Sequence, residues 1–315
     1  MIRKLVRFAD AMVNHLYLST FSEKPSLIIL LFHTVYRDDD DQHNDNLYPL
    51  ISMKVSQFRE YLEHFLEIGY TLISPVDLTK GLASDRRYLL LTFDDGYYNN
   101  TLALPVLQEF KAPALFFISS NHIDQSKGFW WDAYYRECLK RGAGLREINQ
   151  GIESLKTQCH DYIERHLIEQ FGTHVLASEG DRDRPFTPSE LREFAREPYV
   201  HIGNHTTDHA ILTNYTDDQV IEQIGNAQKA IHRITGVTPS VISYPNGNCS
   251  STITHIAEQM GLQFGISTEP RKNHPTALDR MKLGRFMPLA HRSIAIQCEA
   301  YRTGFSRSHS FTHVL

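Results

Sequence analysis

The feature that most constrains the fold of this chain is a repeated alternation of short apolar runs with segments of helical periodicity. The apolar runs are rich in branched and aromatic residues, as in strands buried on both faces of a sheet. They are Ser26–Phe32, Tyr70–Ile73, Tyr88–Phe93, Ala114–Ile118, Tyr199–Ile202, Ser240–Tyr244 and Phe264–Ser267. Strands that alternate with helices in this way form parallel sheets. Since about seven or eight strands are expected, we predict an α/β fold whose sheet closes into a (β/α) barrel.

One region departs from this alternation. Residues 128–183 have helical patterns and no convincing strand pattern, and they begin with the aromatic cluster Phe129, Trp130 and Trp131. We interpret the region as a helical insertion, either a cap over the barrel or a hairpin on its flank. Because no linker rich in Gly, Ser and Pro divides the chain, we expect residues 26–315 to form one barrel domain that contains the insertion.

Residues 1–25 have an order of their own. Apolar residues between Ile2 and Leu16 fall on one stripe of a helix, with Arg3, Lys4 and Arg7 off that stripe. We expect an amphipathic helix that packs on the domain, or alternatively makes peripheral contact with an anionic membrane. The segment lacks the apolar core and cleavage site of a secretory signal, which favours a cytoplasmic location.

Charge and cysteine content exclude some classes of protein. With 32 basic and 37 acidic residues the formal net charge is −5, so no global electrostatic attraction to nucleic acid is expected. The four cysteines have no metal-binding spacing and fit reduced thiols. The oligomeric state is not predictable from these features.

Carboxylates and imidazoles follow two of the predicted strands. Asp94 and Asp95 come directly after Tyr88–Phe93, and His205 and His209 follow the strand that ends at Ile202. Because the C-terminal ends of barrel strands carry the active site, we expect these side chains to lie close together. The strand that ends at Ile202 opens into a loop or a helix, and a helical turn would place the two imidazoles on one face. Two histidines and one carboxylate leave a coordination position open for water, as catalytic zinc requires, although an Asp-Asp-Gly sequence alone is also typical of a plain turn.

Five segments in order carry a family resemblance. They are Leu31–Val35 (L-F-H-T-V), Thr92–Gly96 (T-F-D-D-G), His205–His209 (H-T-T-D-H), Ser243–Gly247 (S-Y-P-N-G) and Leu283–Phe286 (L-G-R-F). Between residues 26 and 290, the chain resembles the polysaccharide deacetylase family, also called the NodB-homology family or carbohydrate esterase family 4, with the Y-P-x-G variant of the third motif. The resemblance implies a distorted (β/α)7 barrel and removal of acetyl groups from amino sugars.

The resemblance also implies roles for individual residues. Asp95, His205 and His209 would bind a divalent metal, most often Zn²⁺, and Asp94 would be the general base. An oxyanion would form near a backbone N–H at Asn246. The residues implied to contact the substrate are Tyr244, Pro245 and Asn246.

Two departures from the family pattern affect the remaining roles. Ser243 stands where many members have an arginine that orients the catalytic carboxylate, and we expect Arg285 to supply the missing guanidinium. The motif that usually provides a histidine as general acid is not evident. His33 and His291 are the candidates for that role, and His33 is better placed because it follows a strand.

The function expected from these observations is a metal-dependent N-deacetylase. Its partner would be an N-acetylated carbohydrate in a polysaccharide, glycolipid or glycan precursor. Two alternatives stay open: a catalytically degenerate glycan-binding or scaffold protein, and a cyclic amide or ureide hydrolase on the same kind of barrel. Trp130 and Trp131 favour a sugar over a small heterocycle, since aromatic faces suit pyranose rings.

Overall fold

The computed structural model describes residues 2–38 and 47–305. The strands in this part of the chain are β1 (Ser26–Phe32), β2 (Thr34–Tyr36), β3 (Ser52–Lys54), β4 (Thr71–Leu72), β5 (Arg87–Phe93), β6 (Ala114–Ile118), β7 (Val200–Asn204), β8 (Val241–Ser243) and β9 (Phe264–Ile266). The helices are α1 (Ile2–Thr20), α2 (Val55–Glu67), α3 (Pro75–Lys80), α4 (Leu104–Phe110), α5 (Ser120–Gln125), α6 (Trp130–Lys140), α7 (Leu145–Leu155), α8 (His160–Phe171), α9 (Pro188–Phe194), α10 (Asp217–Thr235), α11 (Ser251–Gln259) and α12 (Ile294–Thr303).

The main sheet is parallel and curls on itself. Its hydrogen-bonded order is β1-β5-β6-β7-β8-β9, and β4 pairs with the beginning of β5. The segment 283–286 lies between the two ends of this order, because Leu283 bridges to Ile266 and Phe286 bridges to Leu30. The Phe286 N–H donates to the Ile29 carbonyl at 2.9 Å. With this segment as the seventh member, the predicted distorted (β/α)7 barrel is confirmed.

The two-residue period of the strands separates two apolar layers. Leu27, Ile29, Leu90 and Phe117 belong to a buried cluster with residues of β8 and β9. The alternate residues of β1, β5 and β6 instead pack against α2, α4 and α9. Leu27, Ile29, Leu90 and Phe117 therefore face the barrel interior. Where a strand ends, the residues that follow it at the same two-residue spacing point into the mouth of the barrel.

Helices α6, α7 and α8 lie between β6 and β7 in the chain and have a hydrophobic cluster of their own. Trp130, Ile148, Ile152 and Leu167 are buried in it, together with Tyr97 from the loop after β5. We refer to α6, α7 and α8 with their connections, residues 128–183, as the insertion. The insertion thus packs on the barrel through buried apolar side chains.

Helix α1 packs along α12 at the end of the described chain. Thr303 donates a hydrogen bond to Asn14 at 2.7 Å, and His15 lies 2.9 Å from Glu299. Among the described residues, none of the helices is both long and apolar enough to cross a lipid bilayer.

Candidate metal centre and active site

The loop after β5 directs two adjacent carboxylates into the barrel mouth. Asp94 continues the inward alternation of Leu90 and Thr92, and Asp95 adopts a left-handed backbone with φ 78°. A non-glycine residue in this region is strained by about 1–3 kcal/mol, which is typical of functional sites. Both carboxylates are buried, with residue exposures of 3% for Asp94 and 1% for Asp95.

The loop after β7 brings His205 and His209 together without a helix. Of the loop and the helix that the sequence left open here, the structure has the loop, because Thr206 and His209 have φ values of 64° and 50° and residues 205–209 are irregular. Side chains of this loop accept hydrogen bonds from its backbone N–H groups. Asn204 Oδ1 accepts from the Thr206 N–H at 2.7 Å, and Thr206 Oγ1 accepts from the Ala210 N–H at 2.9 Å. Such local hydrogen bonds compete with helix formation. Within β7, the backbone of Gly203 packs against the Phe117 ring, and a Cβ atom added at position 203 would lie 2.4 Å from that ring.

Three metal-ligating side chains converge at this point. Asp95 Oδ1 lies 3.3 Å from His205 Nε2 and 3.4 Å from His209 Nε2. The three ligand atoms all lie within 4.8 Å of one another. Asp95 Oδ1 is buried and accepts no hydrogen bond from any described residue. A buried carboxylate oxygen without a donor beside two imidazoles fits a divalent cation, with the ligand types of a catalytic zinc site.

The tautomer of His205 is fixed by the backbone. Its Nδ1 lies 2.8 Å from the Ser243 carbonyl oxygen, which can only accept, so Nδ1 carries the proton and Nε2 presents a lone pair. Burial lowers the pKa of His205, but the charges of Asp94 and Asp95 outweigh burial and leave the pKa raised. For His209, burial and the charge of His205 hold the pKa well below its ordinary value. Because a metal binds the neutral imidazole, cation and proton compete at this site.

Asp94 is held by a buried two-pronged ion pair. Arg285 Nη1 donates to Asp94 Oδ1 at 2.8 Å, and Arg285 Nη2 donates to Asp94 Oδ2 at 2.5 Å. The hydroxyl of Ser243 donates to Asp94 Oδ2 at 3.1 Å and accepts from Arg285 Nη2 at 2.7 Å. Burial raises the pKa of Asp94, but the charge and hydrogen bonds of Arg285 outweigh burial and lower it to about 2. The carboxylate is therefore ionised at neutral pH.

The two histidines considered for proton donation occupy different places. His33 continues the inward alternation of Ile29 and Leu31 and lines the cavity at the barrel mouth. Its Nδ1 is buried without a hydrogen-bond partner among the described residues. Burial lowers the pKa of His33, and the charges of Asp95 and Asp94 offset this only in part. His291 lies in an exposed turn and does not line the cavity.

The third-motif residues divide between the core and the cavity. Tyr244 is 0% exposed, donates its hydroxyl to the Met281 carbonyl at 3.0 Å and does not line the cavity. Pro245 is also buried and does not line the cavity. Asn246 has φ 57° and lines the cavity. Of the three residues expected to contact substrate, the structure thus places Asn246 at the site and Tyr244 in the core beneath it.

The cavity above these residues has a volume of about 400 Å³. Asp94, Asp95 and His209 lie on its wall, and the insertion contributes Trp130 and Trp131. The ring of Trp131 lies 4.5 Å from the ring of His209.

Some residues near the site were missed from the sequence. The Trp131 Nε1–H donates to the Tyr97 hydroxyl at 2.8 Å, and this hydroxyl donates to Asp132 at 2.6 Å. On α7, Asn149 and Ile152 line the cavity. Tyr97 directly follows the T-F-D-D-G segment, and this position could have indicated that it lies near the site. No spacing signal links Asp132 on α6, or Asn149 and Ile152 on α7, to the motifs.

Comparison with known proteins identifies one family. The family model described as polysaccharide deacetylase matches residues 82–265, more than half of the chain. The Bacillus subtilis protein YxkH, provisionally named a polysaccharide deacetylase, is 22% identical over 255 residues, which is 79% of this chain and 67% of that protein. The peptidoglycan-N-acetylmuramic acid deacetylase PdaA of the same bacterium is 24% identical over 135 residues, covering 42% of this chain and 49% of PdaA.

Solved structures share the fold at low sequence identity. A Bacillus cereus polysaccharide deacetylase superposes with a TM-score of 0.61 and 17% identity, over 88% of this chain and 69% of that one. The Streptococcus pyogenes deacetylase PplD, solved with acetate, gives a TM-score of 0.59 and 16% identity, over 88% of this chain and 98% of PplD.

Proposed function

The chain belongs to the polysaccharide deacetylase family, and we propose that it is a metal-dependent N-deacetylase that hydrolyses the acetamide of an N-acetylated sugar. One observation carries the proposal: the ligand set Asp95, His205 and His209 lies beside a second carboxylate, Asp94, that is ionised and clamped by Arg285. The cation site and the base are separate groups on the wall of one cavity.

The ligand set would hold one divalent ion, and we propose zinc. The donor-free oxygen of Asp95 and the lone pair at Nε2 of His205 support this assignment. When bound, such an ion supplies Lewis acidity that polarises a carbonyl and brings the pKa of water to about 7. Two imidazoles and a carboxylate also accept iron, cobalt or manganese, so metal analysis has to identify the ion.

Asp94 would accept the proton of the attacking water. Its Oδ1 accepts one hydrogen bond from Arg285, whereas its Oδ2 accepts from both Arg285 and Ser243 and lies 3.7 Å from His205 Nε2. Arg285 would fix the plane of the carboxylate beside the ligand set. As the water attacks the acetyl carbon, the C–N bond breaks, and the products are acetate and the free amine.

Protonation of the leaving amine needs a donor at the cavity wall, and we propose His33 for this step. Its position on the wall supports the assignment. Because burial keeps His33 neutral, we infer that it passes on a proton released during water attack rather than bringing one of its own. The Asn246 backbone, also at the cavity, is proposed to face the developing oxyanion.

An N-acetylated sugar is favoured over the alternatives by two observations. Trp130 and Trp131, 3% and 7% exposed, line the cavity and would contribute aromatic surface to contact with a pyranose ring, which favours a sugar over a cyclic amide or ureide. The ligand set, the base and its arginine partner are all present, which favours turnover over a degenerate binding or scaffold role.

The test combines metal analysis with acetate release. The purified protein is loaded with Zn²⁺, Co²⁺ or Mn²⁺ and incubated with N-acetylglucosamine oligomers and, separately, with a cyclic amide and a cyclic ureide. We expect acetate from the sugars alone, with one metal ion per chain, and no acetate after chelation. Ring opening of the heterocycles, or metal-independent acetate release, would contradict the proposal.

We also propose peripheral membrane contact through α1. Met12, Val13 and Leu16 are 59%, 55% and 67% exposed and form one stripe of the helix. Arg3, Lys4 and Arg7 give the same helix positive charge in the sequence, which suits an anionic lipid surface. In vesicle flotation, we expect binding to anionic vesicles and its loss in Leu16→Glu. Ile221→Glu, at an apolar position of α10 that is 45% exposed, is the matched control, and equal flotation of both variants would refute the contact.

A further inference from the structure

The two histidines of the proposed metal site differ in what holds their second ring nitrogen. His205 Nδ1 donates to the Ser243 carbonyl at 2.8 Å, whereas His209 Nδ1 is buried and has no hydrogen-bond partner among the described residues. In metal sites this second nitrogen almost always donates to an acceptor, and the bond fixes the orientation of the ring. His209 also lies in an irregular loop, with a left-handed backbone at φ 50°. The orientation of its imidazole therefore depends on packing.

The packing partner from the insertion is Trp131. Its ring centre lies 4.5 Å from that of His209, with 57° between the ring planes. The ring centre of His205 lies 4.9 Å from that of His209. Both distances are those of aromatic rings in direct contact. The imidazole of His209 is thus contacted by one ring from the barrel and by one ring from the insertion.

Hydrogen bonds and a further ring hold Trp131 in place. Its Nε1–H donates to the Tyr97 hydroxyl at 2.8 Å, and that hydroxyl donates to Asp132 at 2.6 Å. Asp132 also accepts from the Tyr48 N–H at 2.7 Å. Phe129 stacks on Trp131 with ring centres 5.1 Å apart. Because Tyr97 and Asp132 are 0% and 1% exposed, water does not compete for these bonds, and they restrict the orientations open to the indole.

Resting on the metal site of the proposed function, we propose that Trp131 is a positioning residue for His209. The anchored indole limits rotation of the imidazole, so that His209 Nε2 stays at the ligand set, 3.4 Å from Asp95 Oδ1. Trp131 thus has the role for His209 that the Ser243 carbonyl has for His205. An imidazole that is oriented before the cation arrives loses less conformational entropy on binding, so the cation is held more tightly. The insertion therefore completes a metal centre whose ligands all come from loops of the barrel.

Binding of Co²⁺ to the metal-free full chain tests this role. Affinity is measured by competition with a chromophoric chelator, because a Trp131 variant lacks the tryptophan that reports quenching. We expect Trp131→Ala to weaken Co²⁺ binding about 10–100-fold, the usual effect of removing an outer partner of a metal ligand. The visible absorption of bound Co²⁺ should change as well, because it depends on the ligand geometry.

The matched control is Tyr135→Ala. Tyr135 is also on α6 and is 7% exposed, as Trp131 is, but it does not line the cavity. This variant should bind Co²⁺ within about threefold of the native chain and keep the native absorption. Native affinity and absorption in a folded Trp131→Ala variant, or equal losses in both variants, would overturn the inference and leave the proposed function intact. Failure of the native chain to bind Co²⁺ would instead overturn the metal site of the proposed function.

Two milder variants keep the role testable if Trp131→Ala does not fold. Trp131→Phe keeps a ring but loses the Nε1–H donor, and Tyr97→Phe removes the hydroxyl that accepts from it. We expect each to weaken Co²⁺ binding about two- to tenfold, the range that corresponds to one neutral hydrogen bond. The double variant should bind Co²⁺ as the single variants do, because both substitutions remove the same bond. Additive losses, or native affinity in both single variants, would overturn the inference.

Discussion

Replacement of Arg285 by lysine separates the orientation of Asp94 from binding of the metal. Arg285 is 1% exposed, and its guanidinium donates to both Asp94 oxygens, to Ser243, to Thr92 at 3.2 Å and to the Ser267 carbonyl at 3.0 Å. A lysine keeps the charge, but its three donors share one atom and cannot reproduce the planar fork. None of these hydrogen bonds involves the proposed ligands, so the metal site should survive.

The size of the effect follows from these contacts. Lowering the Asp94 pKa from 3.8 to about 2 corresponds to about 2.5 kcal/mol of preferential stabilisation of the ionised carboxylate. Loss of one prong of the fork should cost the fold about 1.5–3 kcal/mol, since that is the usual range for a hydrogen bond to a charged group. A displacement of the base by about 1 Å lowers kcat by about 10²-fold. We therefore expect kcat to fall by about 10²-fold in Arg285→Lys, with metal affinity within about threefold of the native value.

The control is a second arginine that forms a two-pronged ion pair with a carboxylate, away from the proposed site. Arg184 forms a two-pronged pair with Glu190, at 2.7 and 2.9 Å, but its side chain is 23% exposed. Arg184→Lys should leave kcat unchanged and lower the free energy of unfolding by less than about 1 kcal/mol.

The assay uses the two tryptophans of the chain, both of which line the cavity. Because Trp131 lies 4.5 Å from His209, titration with Co²⁺ should quench its fluorescence and report metal affinity independently of turnover. Acetate release then gives kcat. Full kcat in Arg285→Lys, or loss of Co²⁺ quenching in a folded variant, would refute the reasoning.

Three further predictions address the base, the ligands and the insertion. Asp94→Asn should retain Co²⁺ quenching and lose about 10²–10⁴-fold in kcat, because the amide cannot accept a proton; native turnover would place the base elsewhere. His205→Ala should abolish Co²⁺ quenching, whereas His201→Ala, at the far end of β7 and away from the cavity, should preserve it; retained quenching in the first variant would remove His205 from the site. Burial raises the pKa of Asp132 to about 7, so the fold favours its neutral form. Neutral Asp132 therefore contributes up to about 4 kcal/mol to the free energy of unfolding. This contribution is complete below the pKa of 3.8 in the unfolded chain and is lost as the pH rises through about 7. Urea unfolding of the metal-free protein should show this decline between about pH 4 and 7 and no further decline from this group above that, and Asp132→Asn should lack it; the same slope in both would contradict the assignment.

The barrel strands were predictable because their burial is nearly complete. Ser26–Phe32 and Ala114–Ile118 were predicted with the bounds that the structure gives to β1 and β6, and every residue of both strands is buried. Continuous apolar runs of this length leave few alternatives in an α/β chain. In contrast, β2 and β3 have three residues each and were not predicted. Their pairing depends on a contact between distant segments, which the local pattern does not contain.

The loop after β7 shows where spacing misleads. The interval of four residues between His205 and His209 fits a helical turn, and the sequence alone leaves a loop or a helix open there. In the structure, the side chains of Asn204 and Thr206 bind the backbone N–H groups and impose left-handed conformations instead. The imidazoles still meet at Asp95, but through a strained loop. Residue identity was therefore a better guide to the site than the secondary structure assigned to it.

The exchange between Ser243 and Arg285 explains why a missing motif residue need not mean a missing function. Ser243 and Arg285 each continue an inward-facing alternation, of β8 and of the segment 283–286, so both point to the same place at the barrel mouth. The Asp94 carboxylate has two oxygens, and one planar guanidinium already binds both. A second arginine at position 243 would have to bury another charge beside Arg285 without a free carboxylate oxygen, which would be costly. A small hydroxyl instead accepts from Arg285 and donates to Asp94, so it closes the network. The geometry around the carboxylate, rather than the strand that supplies the arginine, is what the chemistry requires.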